Sequence, residues 1–172
     1  LATVGGHNGG QIPEAGMLHH FNIVTVRKDQ VAHAAVPVGE VMDVRELTGD
    51  LAEQARALAA TTPEFGSRLV LGMDGFAAEI VEVTLRNPTD WLLDVTVMPD
   101  SGDSRWSAWP DHDHGTIKPN SSETYAFRLQ RTDAELDATF RPIDLVVHAD
   151  MLLPGHRYTV PETRYEFPLD AD

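Results

Sequence analysis

Residues 79–90 read EIVEVTLRNPTD, and this stretch decides the fold class that we expect. Apolar Val81, Val83 and Leu85 alternate with mostly polar residues, which is the pattern of a strand in an antiparallel sheet with one face buried. The NPTD segment that follows contains Asn, Pro and Asp, which are typical of turns. The stretch therefore predicts a half-buried strand that ends in a turn.

The chain on either side of this strand continues the same pattern. Turn residues separate further short runs that favour β-structure, at residues 68–71, 91–98, 123–130 and 143–149. Strands at this spacing predict a mainly β protein whose residues 67–172 form an antiparallel β-sandwich of about six to eight strands. Residues 87–91 and 118–122 together resemble the strand–turn–strand pattern of immunoglobulin-like accessory domains in bacterial enzymes.

Two shorter elements precede the predicted sandwich. Residues 18–26 and 31–38 predict a β-hairpin with a tight turn at residues 28–30. Because two strands cannot bury both faces and no partner strand is evident in this chain, we expect other residues to complete that sheet. Asp50 and Glu53 have capping-box spacing, which predicts a short helix at about residues 51–61, followed by a linker that reaches residue 66.

Composition excludes several function classes. The 172 residues carry a formal net charge of −14, which argues against nucleic acid or an anionic membrane as a partner. No apolar run is long enough to predict a membrane span. The absence of cysteine excludes disulfides, thiolate catalysis and zinc sites built on cysteine. The sequence also lacks the Gly-x-Ser-x-Gly and Gly-Lys-Ser/Thr motifs of serine hydrolases and phosphate-binding loops.

A glycine-rich loop lies at the start of the chain, where residues 4–10 read VGGHNGG. Glycine allows a ligand or another backbone segment to approach closely, so such a loop can hold His7 at the rim of a site. A loop of this kind is an unusual start for a protein, and the chain does not begin with Met. We therefore expect this chain to be the C-terminal part of a larger protein.

The opening residues resemble calcineurin-like metallophosphoesterases. In that family a strand leads into a Gly-His-x-His loop near the end of the catalytic core, and here Gly6-His7-Asn8-Gly9 matches the first half of the motif. Gly9 replaces the second histidine. Residues 18–26 and 36–39 are similar to the closing strands of many bacterial members. The resemblance covers about residues 1–48, and the Asp-x-His and Gly-Asn-His-Asp motifs that carry most of the family's metal ligands are not in this sequence.

This resemblance implies a parent enzyme that hydrolyses phosphate esters with two divalent ions of manganese, iron or zinc. It implies His7 as a metal ligand, with Asn8 and His20 beside the site or at its rim. Residues 1–48 would be the last strands of an α/β catalytic domain, residues 49–66 a helix and linker, and residues 67–172 an accessory sandwich. The partners would then be the upstream catalytic domain and the phosphate-ester substrate. The resemblance favours a secreted or periplasmic location, with the cytoplasm as the alternative.

A second group of metal-ligand residue types lies at residues 111–114, which read DHDH. In an extended segment His112 and His114 would face the same side and could hold a divalent cation together with Asp113. Pro110 and Gly115 flank the segment, which favours a loop. The competing interpretation is an exposed polar turn between two strands.

Three tryptophans support a rival function, in which the chain is a non-catalytic β-sandwich module that binds a protein or a glycan. Exposed indole rings are common at binding surfaces, although buried indoles are also common in sandwich cores. On the binding interpretation the contact residues are Trp91, Trp106 and Trp109. The sequence leaves the enzyme and binding-module hypotheses open.

Overall fold

The computed structural model describes residues 3–5, 20–28, 30–37, 49–132 and 135–171. Over these residues the protein is mainly β, with fourteen strands and one short helix. The chain divides into two compact units, Leu1–Ala60 and Thr61–Asp172. The prediction of a mainly β protein with antiparallel sheets is confirmed.

The first unit contains a three-stranded antiparallel sheet with the order β1-β2-β3. Its strands are β1 (Thr3–Gly5), β2 (His20–Arg27) and β3 (Gln30–Pro37). The predicted hairpin is present as β2 and β3. The expectation that this chain supplies no partner for the hairpin is wrong, because the three residues of β1 pair with β2.

The helix α1 (Gly49–Ala59) follows in the same unit. It begins at Gly49 and ends at Ala59, slightly earlier at both ends than the sequence predicts. Asp50 lies in the first turn and Arg56 in the last turn, where each charge interacts favourably with the helix dipole. Leu51 and Ala55 are buried, as their helical spacing requires.

The second unit contains two larger antiparallel sheets. The strands of the first sheet are β4 (Glu64–Phe65), β6 (Ala77–Arg86), β8 (Trp106–Trp109) and β10 (Ser122–Arg131), in the order β4-β6-β10-β8. The pairing of β6 with β10 extends along the full length of both strands. β4 lies within the segment that the sequence predicts as a linker.

The second sheet is organised around its longest strand, β11. Its strands are β7 (Leu92–Asp100), β9 (Asp113–Ile117), β11 (Asp144–Leu153), β12 (His156–Thr159) and β13 (Thr163–Glu166). β7 pairs with β11 on one side and with β9 on the other. β12 and β13 pair with successive halves of β11 along its second edge.

A short parallel pair and an aromatic contact complete this unit. β5 (Leu69–Leu71) pairs in parallel with β14 (Leu169–Ala171). The rings of Phe65 and Phe167 pack at a centroid distance of 5.2 Å. Phe167 is fully buried, so this contact attaches the two ends of the unit to its core.

The core takes its side chains from both larger sheets, as in a β-sandwich. The alternation that the sequence shows along β6 is confirmed, because Val81, Val83 and Leu85 are buried. Phe127 on β10 and Leu145 on β11 are also fully buried. Burial of each such side chain stabilises the folded state by about 1.5–3 kcal/mol. The buried positions of these strands therefore stabilise the packing of the two sheets.

A buried asparagine joins two turns at one end of the sandwich. The Asn87 side chain donates to the carbonyls of Trp91 and Ile117 at 2.8 and 2.9 Å. Its Oδ1 accepts from the backbone N–H and the hydroxyl of Thr89, and its own backbone N–H donates to Ser121. Buried polar groups need such partners. The segments at residues 87–91 and 118–122 are therefore held together through one side chain.

Candidate binding surface

The residues predicted from the phosphoesterase resemblance fall mostly outside the described structure. His7 and Asn8 lie outside the described residues. His20 is the first residue of β2, where its backbone is in register with Pro37. β1 ends at Gly5, so the strand that precedes the Gly-His segment is present. The prediction of a metal ligand at His7 stays a prediction.

The DHDH segment is only partly a loop. Asp111 and His112 precede β9, whereas Asp113 and His114 are its first two residues, so the loop prediction is wrong for that second pair. The sequence missed β9 because the segment contains no apolar residue before Ile117. His112 approaches its neighbour Asp111, with Nδ1 and Oδ1 2.8 Å apart.

His114 instead belongs to a polar cluster on the outer face of the second sheet. Its Nδ1 lies 3.0 Å from the Thr96 hydroxyl and its Nε2 lies 3.1 Å from Asp94 Oδ1. Arg157 contacts both Asp94 and Asp150 at 2.7 Å, and these hydrogen bonds and charges raise the pKa of Arg157. The structure therefore gives His112 and His114 different partners. In the described part of the chain, no three His, Asp or Glu side chains come together as a metal site would require.

The three tryptophans have different environments. Trp106 is 8% exposed, and its indole N–H donates to the Arg141 carbonyl at 3.0 Å, so it is a core residue. Trp91 is partly buried, and its carbonyl accepts from Asn87. Trp109 is 77% exposed. Of the three predicted contact residues, Trp109 is therefore the one whose ring is open to a partner.

Trp109 forms a row with two other exposed side chains on the outer face of the first sheet. Arg128 on β10 is in register with Trp109 on one side and with Ile80 of β6 on the other. Ile80 is 66% exposed, and Arg128 is exposed as well. Neighbouring strands lie about 4.8 Å apart, so the row spans about 10 Å across the sheet. We refer to Trp109, Arg128 and Ile80 as the tryptophan row.

A buried ion pair fixes the start of β8 and so the position of the tryptophan row. Asp103 accepts from the Arg105 side chain at 2.6 Å and lies 3.3 Å from the fully buried guanidinium of Arg131. The hydrogen bond from Arg105, with a smaller contribution from Arg131, lowers the pKa of Asp103 to about 2. Asp103 also accepts a backbone hydrogen bond from Trp106 through its carbonyl, which starts the strand.

A polar cleft lies on the same outer face, toward the opposite end of the sheet. Its volume is about 380 Å³, and its lining residues are Thr61, Thr62, Glu64, Thr84, Arg86, Pro88 and Ser122. Thr84 is in register with Thr124, and their hydroxyls are 2.9 Å apart. Arg86 is in register with Ser122. The cleft therefore combines hydroxyl groups with one positive and one negative side chain.

Comparison with known proteins does not assign this chain to a family. No family model and no curated protein matches it.

The α1 helix has 11 residues, and no helix of the described chain is long and apolar enough to cross a membrane.

Sequence reasoning identified Trp109 but missed its two neighbours. Ile80 could have been identified from the sequence. The alternation along β6 puts it on the outer face of the strand, where an apolar residue is unexpected. Arg128 carried no comparable signal, since a charged residue is expected on the solvent side of any strand. The register between β6, β10 and β8 brings the three together, and that register is not readable from the spacing of the residues.

Proposed function

We propose that the sandwich formed by Thr61–Asp172 is a non-catalytic binding module whose contact surface is the outer face of its first sheet. The observation that carries this proposal is the tryptophan row. Trp and Arg are the side chains most enriched among residues that dominate binding energy. In this row an exposed Trp, an exposed Arg and an exposed Ile lie on adjacent strands of one regular sheet.

The physical chemistry of the row favours a partner. An indole ring buries about 150–250 Å² when it is covered, and each square ångström of apolar area removed from water contributes about 25 cal/mol. Arg128 has no hydrogen bond or ion pair with the described residues, so its guanidinium is available for a partner's polar groups. Because the row lies on paired strands, covering it requires little reordering of the module.

We further infer that the module is immunoglobulin-like. The support is the strand order, since β4-β6-β10-β8 corresponds to the ABED sheet of that fold, and β7, β11 and β13 correspond to CFG. β9, which pairs with β7, occupies the place of an additional edge strand. One departure is the chain order, because β8 precedes β9, whereas the corresponding strands of a variable domain occur in the reverse order.

The test uses the full chain and a Trp109→Ala variant, with Ser107→Ala as the matched control on the same strand and face. The probes are the upstream catalytic domain that the resemblance to metallophosphoesterases implies, produced separately, and a set of soluble polysaccharides. We expect at least one probe to bind and Trp109→Ala to weaken that binding about thirtyfold, as for a central contact worth about 2 kcal/mol. The proposal fails if neither probe binds, or if Trp109→Ala binds as Ser107→Ala does while its circular dichroism is unchanged.

We also propose that the parent protein is a metal-dependent, phosphoesterase-like hydrolase to which this module is appended. The support is the Gly6-His7 sequence together with β1, a strand that ends at Gly5 and lies antiparallel to the first strand of the β2–β3 hairpin. On this proposal His7 is a ligand of a manganese, iron or zinc ion. Most other ligands would come from residues outside this chain, so activity is expected of the parent and not of this chain alone.

Metal content is the direct test of that second proposal. The parent protein, which would supply the other ligands, is purified without metal, incubated with manganese, zinc or iron, desalted and analysed for bound metal. We expect His7→Ala to lose metal that the natural chain retains, and His112→Ala to retain it. Metal that persists in His7→Ala, or a natural chain that binds none of the three ions, would contradict the assignment of His7.

A further inference from the structure

The polar cleft and the tryptophan row belong to one surface. The outer positions of β10 run from Ser122 at the cleft to Arg128 in the row, and six residues of strand span about 20 Å. The residues between them on that face of β10 are Thr124 and Ala126, whose side chains are short. A ligand can therefore follow β10 from the cleft to Trp109 without crossing a large side chain of that strand.

The cleft offers hydrogen-bonding groups of every kind. Arg86 only donates, Glu64 only accepts, and the hydroxyls of Thr84 and Ser122 do both. Neither Arg86 nor Glu64 has a side-chain hydrogen bond or ion pair with the described residues. Their capacity is therefore free for a ligand that presents several donors and several acceptors over a short distance.

This chemistry discriminates among ligand classes. A polyanion such as nucleic acid meets Glu64 in the cleft and Glu82 further along the same face, in a protein of net charge −14. A purely apolar ligand would leave Arg86 and Glu64 without partners, at a substantial desolvation cost. Sugars fit both parts of the surface, because their hydroxyls donate and accept hydrogen bonds while their C–H faces pack on aromatic rings.

We propose that this face binds a neutral polysaccharide chain, with one sugar packed on Trp109 and another held in the cleft by Arg86. The inference rests on the proposed binding function and specifies its ligand. Arg86 and Glu64, which both line the cleft, recognise sugar hydroxyls as donor and acceptor, and Arg128 adds donors beside the ring of Trp109. The strip of short side chains along β10 accommodates the sugars between these two points.

Affinity electrophoresis tests this inference with the full chain in gels that contain xylan, mixed-linkage β-glucan, galactomannan or alginate. We expect at least one of the three neutral polymers to retard the natural chain and alginate, a polyanion, to retard it less. Arg86→Ala should weaken binding about tenfold, because it removes a charged hydrogen-bond donor. Arg164→Ala is the matched control, since Arg164 lies on the second sheet and pairs with Asp100 and Glu162.

The outcomes separate this inference from the binding function on which it rests. Weaker binding in both Arg86→Ala and Trp109→Ala, but not in Arg164→Ala, supports a polysaccharide site that extends from the cleft to Trp109. If Trp109→Ala loses binding while Arg86→Ala keeps it, the cleft assignment is overturned and the module function stands. If no polysaccharide retards the chain but the implied upstream catalytic domain binds through Trp109, the ligand class is overturned and the module function stands. If neither probe binds, both the polysaccharide inference and the proposed binding function fail.

Discussion

Asp103 shows how one charged side chain can support a strand whose exposed face we propose as a binding surface. Its carboxylate is buried between Arg105 and Arg131, and its backbone carbonyl accepts from Trp106 at the start of β8. Arg131 is fully buried, and its guanidinium also lies 5.3 Å from the centre of the Phe140 ring. Removing the carboxylate would leave a buried cation with fewer partners, which is costly.

The lowered pKa of Asp103 predicts how stability depends on pH. Its folded value is about 2 and its ordinary value is 3.8, so the folded state prefers the charged form. This preference contributes on the order of 2 kcal/mol above pH 4, and the contribution is lost as the pH falls toward 2. We expect Asp103→Asn to lower the free energy of unfolding at pH 7 by about that amount, and to differ less from the natural chain at pH 2.

Urea unfolding at pH 7, 4 and 2, followed by tryptophan fluorescence, measures this difference. Asp111→Asn is the matched control, because Asp111 is exposed and contacts only the adjacent His112 among the described residues. It should change stability little at any of the three pH values. A constant difference between the natural chain and Asp103→Asn from pH 7 to pH 2 would show that the charge of Asp103 is not what stabilises the fold.

At the level of elements, the sequence predicts strands where apolar and polar residues alternate over several positions and misses them where this pattern is too short or absent. β6 carries Val81, Val83 and Leu85 at alternate positions, and β10 carries Tyr125, Phe127 and Leu129 in the same way. Both strands are predicted close to their observed bounds. β8 has four residues, and β9 reads DHGTI, so neither contains enough apolar positions to show a period of two. Their backbones are held by pairing with β10 and β7, a cause that lies elsewhere in the chain.

The same limit applies to the candidate site. Trp109 could be selected from its residue type alone, whereas its exposure could not, since Trp106 three residues earlier is buried. The cleft was not predicted because its walls come from β4, β6 and the start of β10, which are distant in sequence. Residue type identifies candidates, and strand register decides which of them share a surface.

At the level of the whole molecule, the division into Leu1–Ala60 and Thr61–Asp172 predicts where the chain can be cut. The second unit contains both larger sheets and the β5–β14 pair. Thr61 belongs to it, since its carbonyl accepts from the Tyr165 hydroxyl at 3.2 Å. A unit of this size with its own core is expected to fold alone.

We therefore expect residues 61–172 produced alone to unfold cooperatively and to show the Trp109-dependent binding that we propose for the full chain. A shorter piece, residues 67–172, tests the boundary directly, because it begins where the sequence predicts the sandwich to begin and not at Thr61. It lacks β4 and with it Phe65, which packs on Phe167, so it should be less stable by about 3 kcal/mol or more. Thermal unfolding followed by circular dichroism compares the two pieces. Equal stability would mean that β4 adds nothing to the first sheet, whereas failure of the longer piece to fold would mean that residues 1–60 contribute to its core.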